Sequence, residues 1–248
     1  MKNNIKSEYD DIAKQYSENN EKSIGANYLW YHTFFQVLGD VKNISVLDLA
    51  CGDGYLARNI KLKGASEVFG IDLSKKMLKI AKDKEKKFPL GINYQLGKVG
   101  KLKKINEFDV VVAGFLLHYS KEKGELLRMC QDVYKNLKVG GRFVTINKNP
   151  EIPLSLEKQY GSTHTAKGRI TDGSKVKVTF YDNKKEVCSF YNYHWSKKIY
   201  EDTLKKVGFR RIKWVPLKVS KEGVKKMGKV FWNNWYKNNH LVVMEAIK

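Results

Sequence analysis

Between Asn43 and Asn149, short β-branched apolar runs alternate with stretches in which apolar residues recur every three or four positions. The runs at 44–49, 67–71, 92–96, 108–112 and 142–146 have the length and composition of buried strands. The stretches 55–62, 74–87 and 123–137 carry a helical period. In the second, Met77, Leu78 and Ala81 follow Ser74, a residue type that caps helix N-termini. Strand and helix alternating in this way predict an α/β fold, a parallel sheet wrapped on both faces by helices.

Two segments depart from the alternation. Residues 5–38 predict two helices separated by a polar stretch at 19–25. Residues 151–195 lose the helical period, and the runs 176–181 and 186–193 flank Asp182-Asn183-Lys184-Lys185, a β-hairpin pattern. A helix over 196–207 and strands at 211–218 and 241–247 follow. The organisation expected is an N-terminal helical lid (1–40), a ligand-binding core (41–150), a β-hairpin substrate cap (151–195) and the C-terminal part of the α/β core (196–248).

A chain of 248 residues, 42% of them hydrophobic, can bury a core without staples. Its three cysteines, Cys51, Cys130 and Cys188, are far apart and lack metal-ligand spacing, which favours free thiols in a reducing compartment. The first nine residues are polar, and no apolar run approaches the ~18 residues of a membrane span. A cytoplasmic location without membrane insertion is therefore expected.

The net charge of +21 raises the question of a polyanionic partner. Arginine, whose fork suits phosphate and base recognition, occurs only at 58, 128, 142, 169, 210 and 211. The lysines are spread along the chain, as at Lys75, Lys76, Lys79, Lys82, Lys84, Lys86 and Lys87. Two readings stay open: scattered surface charge, or a face or pocket for an anion.

The strongest chemical signal is Val46-Leu47-Asp48-Leu49-Ala50-Cys51-Gly52-Asp53-Gly54. A buried strand ends in a turn of small residues and a helix begins at once. Gly52 and Gly54 let the chain fold tightly and let a ligand lie against the backbone. Asp48 falls at the carboxyl edge of the sheet, and eighteen residues after Gly54 stands Asp72, an acid ending the second strand. A carboxylate there can accept both hydroxyls of a ribose. The Gly52-x-Gly54-x-x-Ala57 spacing also fits a dinucleotide site, but a pyrophosphate at a helix N-terminus is repelled by an aspartate such as Asp48. A ligand with an amino group and a sulfonium is attracted. A tight turn without any ligand is the remaining alternative.

The stretch 48–54 resembles motif I of the class I S-adenosylmethionine-dependent methyltransferases, with Ala50 at the position of the first glycine in many members. Asp72 matches their ribose-binding acid. Phe108-Asp109-Val110-Val111-Val112 is similar to the motif IV strand, followed by Ala113-Gly114-Phe115-Leu116-Leu117-His118-Tyr119. Leu137-Lys138-Val139-Gly140-Gly141-Arg142-Phe143 resembles the Leu-x-Pro-Gly-Gly turn, with Val139 in place of the proline. The likeness covers residues 8–148 well and the last strands more loosely. Tyr9-Asp10-Asp11-Ile12-Ala13-Lys14-Gln15-Tyr16 resembles the opening helix of small-molecule members, including the toxoflavin-type enzymes.

The resemblance implies a Rossmann-like seven-stranded methyltransferase sheet with an N-terminal helical lid and an inserted antiparallel β cap. S-adenosyl-L-methionine is the implied cofactor, held by Asp48, Ala50, Cys51, Gly52, Gly54, Asp72, Leu73, Met77, Gly114 and Phe115. Lys98 stands where the family often places an aspartate for the adenine amine, so backbone contacts from Lys98 and Val99 are expected there. Tyr9 and Tyr16, seven residues apart, share a helix face. Either they close over the cofactor, Tyr16 bonding its carboxylate, or they only dock the helix. Tyr28, Trp30, Tyr31 and Phe34 read as core or pocket wall.

Methyl transfer from a sulfonium requires in-line alignment, exclusion of water, and removal of a proton where the nucleophile carries one. His118, just after the fourth strand, is the candidate base, with a pocket-lining role as the alternative. His32, His164 and His194 read as surface histidines. No Asp/Asn-Pro-Pro-Tyr follows the fourth strand, no cysteine adjoins it, and no acidic cluster suited to Mg²⁺ occurs, so no metal is expected. The aromatics of the cap and of Phe231-Trp232-Asn233-Asn234-Trp235-Tyr236 predict an apolar pocket for a planar or hydrophobic acceptor, or simple packing of the cap.

The function expected is methyl transfer to an O, N or C nucleophile of a small molecule, by a monomer or homodimer. The competing readings are an RNA or protein methyltransferase using the basic surface, an NAD- or nucleotide-binding protein, and a catalytically idle binding module of the same fold.

Overall fold

The computed structural model describes residues 9–152, 154, 162–182, 185–237 and 241–248. The sequence expectations at 5–8, at 155–161 and for the turn residues Asn183 and Lys184 lie outside the described residues. The helices are α1 (Tyr9–Lys22), α2 (Tyr31–Leu38), α3 (Tyr55–Leu62), α4 (Lys75–Lys87), α5 (Lys123–Lys135), α6 (Lys197–Val207), α7 (Lys221–Met227) and α8 (Lys229–Lys237). The strands are β1 (Ser45–Leu49), β2 (Glu67–Asp72), β3 (Asn93–Leu96), β4 (Phe108–Gly114), β5 (Leu137–Lys148), β6 (Ser162–Ala166), β7 (Lys175–Asp182), β8 (Lys185–Tyr193), β9 (Arg210–Pro216) and β10 (Leu241–Ile247).

Seven strands form one sheet in the order β3-β2-β1-β4-β5-β10-β9. Pairing is parallel from β3 to β5, while β10 runs antiparallel to both β5 and β9. Successive residues of β4 serve opposite faces, as a strand requires. Val110 and Val112 join the core with Leu29, Phe34, Leu38 and Ile60, whereas Val111 and Ala113 join Leu126, Val133, Tyr200 and Leu204. Helices on both faces bury these positions, which is why the strands read as nearly continuous apolar runs.

The strand order reverses between β1 and β4, and a crevice lies beyond their carboxyl ends, the usual ligand position in an open α/β sheet. Two appendages close it. Helix α1 lies across the edge, tied down where Ser17 Oγ donates to Asp53 Oδ2 at 2.5 Å and Ser74 Oγ donates to Asp10 Oδ1 at 2.7 Å. The cap is a three-stranded antiparallel sheet, β6-β7-β8, rather than a lone hairpin. Its extra strand, Ser162-Thr163-His164-Thr165-Ala166, carries no apolar alternation and takes its form from pairing with β7.

Other differences are local. Chain continuity after α1 resumes as a π-helical turn, Ala26–Trp30, that runs directly into α2. Helix α7 has no counterpart in the sequence expectations, and α5 stops at Lys135, earlier than its apolar period suggests. Among the described residues no helix is long and apolar enough to cross a membrane.

Candidate active site

The β1–α3 turn builds the floor of the crevice. Ala50 and Gly52 adopt positive φ, 57° and 56°, and Phe115 at the tip of β4 does so at 67°. For Ala and Phe this left-handed conformation costs about 1–2 kcal/mol, strain that clusters at ligand sites. At Gly52 a Cβ would stand 3.2 Å from Met77 Cε and fill the cradle. The Gly52 amide donates to Asp72 Oδ2 at 2.8 Å and the Ser74 amide to Asp72 Oδ1 at 2.7 Å. Two backbone donors thus fix the carboxylate at the end of β2 while leaving lone pairs for a diol. Burial raises the Asp72 pKa, opposed by those same amides.

Asp48 is fully buried, and neither carboxylate oxygen has a hydrogen-bond partner among the described residues. Burial, then the nearby charge of Asp72, holds its pKa well above the usual carboxylate range, and the Ala57 amide, too poorly placed for a regular hydrogen bond, opposes this only in part. An orphaned acid at the crevice floor is a costly feature that a cationic group would relieve.

A cavity of about 310 Å³ runs over this floor. It is lined by Ala50, Gly52, Asp72, Leu73, Met77, Lys98, Val99, Gly114 and Phe115, with Tyr9 and Tyr16 of α1 as its roof. Asp48 and Cys51 line a smaller recess that shares Ala50, Gly52 and Met77 with it. Gly54 lines neither; it is the N-cap of α3 at φ 82°, where any side chain would strike the Tyr94 hydroxyl. The Lys98 ammonium is drawn to Glu125 Oε1 at 3.2 Å, which leaves its backbone as the surface offered to a ligand. Glu125, Tyr119 and Lys121 also line the cavity and were not singled out in the sequence, where they are ordinary residues of a loop and helix start.

A second cavity, about 70 Å³, lies beneath the cap and shares Tyr9, Tyr16, Phe115 and Tyr119 with the first. Its walls are Trp30, Phe180, Phe190 and Val178, and its polar groups come from His118, Lys148, Ser162, His164 and Asn192. The two tyrosines of α1 line both cavities and dock the helix on the cap. Tyr9 packs on Phe190 at 5.4 Å and Tyr16 on Phe180 at 5.6 Å, and both rings face the space between the cavities. The Tyr9 hydroxyl also bonds that of Tyr119. Of the other histidines, His164 is buried in this second cavity and His194 is half-buried beside it, neither being a plain surface residue.

His118 is 2% exposed and its Nδ1 lies 2.8 Å from Asn147 Oδ1. With that oxygen accepting, Nδ1 carries the proton and Nε2 the lone pair. Burial lowers the ring pKa to about 3, only partly opposed by the Asn147 bond. Such a ring is neutral at physiological pH and a weak base. An unfolded histidine takes up its proton near pH ~6.5, while the folded ring waits until about 3. Stability must therefore fall as the pH drops through that window. His118→Gln is expected to flatten the slope of unfolding free energy against pH between these limits, by up to about 1.4 kcal/mol per unit. Denaturant unfolding at a series of pH values measures it, and identical slopes would refute the low pKa.

Residues 46–141 match the family described as a methyltransferase domain. A demethylmenaquinone methyltransferase of Lactiplantibacillus plantarum is 32% identical over 158 residues, covering 61% of this chain and 65% of that protein. A ubiquinone biosynthesis O-methyltransferase of Coxiella burnetii is 32% identical over 112 residues, 44% of this chain and 46% of that one. The chain thus spans less than two thirds of the length of these relatives. An S-adenosylmethionine-dependent methyltransferase of Mesorhizobium loti superposes with a TM-score of 0.64 at 20% identity, over 92% of this chain and all of that one, which establishes a common fold. The sheet order and the glycine turn leading to the acid that ends β2 are the features this fold brings to its crevice. Residues 46–141 are thus similar to a methyltransferase domain, on a fold shared with solved S-adenosylmethionine-dependent methyltransferases.

Proposed function

We propose that this chain transfers the methyl group of S-adenosylmethionine to an O, N or C nucleophile of a small planar molecule seated beneath the cap. The observation that carries the reading is Asp48, a buried carboxylate whose oxygens have no hydrogen-bond partner among the described residues, beside a glycine cradle and near Asp72. An amino group and a sulfonium answer the first acid, and a ribose diol answers the second. A dinucleotide would bring a pyrophosphate to the same turn and meet repulsion.

S-adenosylmethionine, when bound, supplies an activated methyl on a good leaving group. The chain's own residues supply the rest. Asp48, Asp72, Ala50 and Gly52 would hold the cofactor, Leu73, Met77 and Val99 would flank its adenine, and the Lys98 and Val99 backbone would meet the ring edge. Tyr9 and Tyr16 would cover it and shut out water. His118 Nε2, its orientation fixed by Asn147, would accept a hydrogen bond from the bound acceptor.

The aromatic walls favour a small ring over RNA or protein, and the names of the two relatives suit a quinol-type ring. Three buried free cysteines accord with a reducing, cytoplasmic setting. Calorimetric titration with S-adenosylhomocysteine and with NADH tests the reading. Micromolar binding of the first and none of the second is expected. No heat with S-adenosylhomocysteine at millimolar concentration would remove the proposal.

A further inference from the structure

The second cavity holds an arrangement that cofactor binding does not use. Three of its lining residues carry a buried polar atom with no hydrogen-bond partner among the described residues: Trp30 Nε1, Lys148 Nζ and Asn192 Oδ1. Buried polar groups are nearly always satisfied, so a cluster of exceptions facing one space points to a ligand that completes them. Phe115, Phe180 and Phe190 border the same space, which suits a flat ring. Tyr9, Tyr16, Phe115 and Tyr119 line both cavities, so a molecule held here lies against the wall shared with the first.

Lys148 ends β5, beside β4 at the sheet's carboxyl edge, where its backbone pairs with Leu241 of β10. Burial alone lowers its amine pKa to about 7. The titratable groups around it are Tyr9 and Tyr16 on α1, His118 and Tyr119 after β4, His164 on β6 and His194 after β8. No carboxylate lines the cavity among the described residues, so an ammonium here has no counter-charge. A bound sulfonium nearby would press the amine further towards its neutral form. His118, with a pKa of about 3, is a far weaker proton acceptor.

Resting on the methyl-transfer reading, we propose that the cap cavity binds a planar acceptor by an acidic ring hydroxyl, and that Lys148 is the general base that takes its proton. The neutral amine accepts the hydroxyl proton and becomes an ammonium. An oxygen lone pair forms the new bond to the methyl carbon as the carbon–sulfur bond breaks, its electron pair staying on sulfur. The sulfonium charge disappears as the ammonium charge appears, so net charge is conserved. The ammonium returns its proton to water once the ether product leaves. Trp30 Nε1 donates to another oxygen of the ring system and Asn192 Oδ1 accepts from a second hydroxyl. A base whose pKa sits near the working pH is the efficient choice for such a step.

The probe is 4-nitrophenol, whose phenolate is yellow, added to protein saturated with S-adenosylhomocysteine. Wild type is expected to bind it as phenolate, with its apparent ionisation lowered by about one pH unit or more. Lys148→Met, which fills the stem's volume without the amine, should lose that shift and bind the probe at least about tenfold more weakly. Its affinity for S-adenosylhomocysteine should stay unchanged, since Lys148 does not line the first cavity. In protein carrying ¹³C at lysine Cε, one resonance should titrate near pH 7 and be missing from the variant. Equal ionisation and affinity of the probe in both proteins would overturn the assignment of Lys148. If Lys148→Met does not fold, the absence of any ionisation shift in wild type overturns it equally. Failure of wild type to bind S-adenosylhomocysteine would instead overturn the methyl-transfer reading beneath it.

Discussion

Asp72→Ala is expected to weaken S-adenosylhomocysteine binding by about two to three orders of magnitude. A hydrogen bond to a charged group is worth about 1.5–3 kcal/mol, and a ribose offers this carboxylate two. Losing about 3–4 kcal/mol corresponds to that factor, at about 1.4 kcal/mol per tenfold. The same carboxylate accepts from the Gly52 and Ser74 amides, so its removal also loosens the cradle. An analogue lacking the ribose hydroxyls separates the two effects. It should bind wild type about as weakly as Asp72→Ala binds the parent ligand, and combining both changes should add little. Asp72→Asn, which keeps an oxygen for one amide, should fall between. An Asp72→Ala protein that folds and binds with wild-type affinity would eliminate the ribose contact.

Asp72 is also an instance of what could be read from the chain alone. Its place at the end of a buried strand follows from the apolar run before it, and strands buried on both faces announce themselves. Asp48 is similar. Its position within Val46-Leu47-Asp48-Leu49 makes it an acid inside an apolar strand, which is conspicuous without coordinates. Gly54 lies beyond that resolution. A glycine of the turn reads as ligand-facing, whereas this one is required by its left-handed φ and by the Tyr94 side chain, supplied by β3.

The second cavity is harder to read, because its chemistry is made by tertiary contact. Lys148 is one lysine in a lysine-rich chain, and nothing local marks it as buried. Its environment is assembled from α1, the β4 tip and a cap whose strands come from 162–193. The strand β6 is polar in sequence and exists through its pairing with β7. His118 shows the opposite failure: its location was evident, but its burial and its bond to Asn147, which set the pKa, depend on residues far along the chain.

Asp48→Asn is expected to raise the stability of the ligand-free protein while impairing cofactor binding. The folded pKa of Asp48 lies well above the value of about 3.9 that applies to an unfolded aspartate. Between those two values the folded state binds more protons than the unfolded one, so stability falls as pH rises through the window. Above it, the buried carboxylate is ionised at a cost that asparagine does not incur. At neutral pH the variant should therefore melt higher, by about 2–4 °C for each kcal/mol recovered. Its affinity for S-adenosylmethionine should drop at least about tenfold, because the cationic amino group loses its counter-charge. A further sign distinguishes this account from simple repacking. A cationic ligand lowers the raised pKa of Asp48, so at pH values inside that window binding to wild type should release protons and its calorimetric heat should change with the ionisation enthalpy of the buffer, a dependence lost in Asp48→Asn. A variant that melts lower and binds as tightly as wild type would mean that the acid is structural, and that the cationic ligand is recognised elsewhere in the crevice.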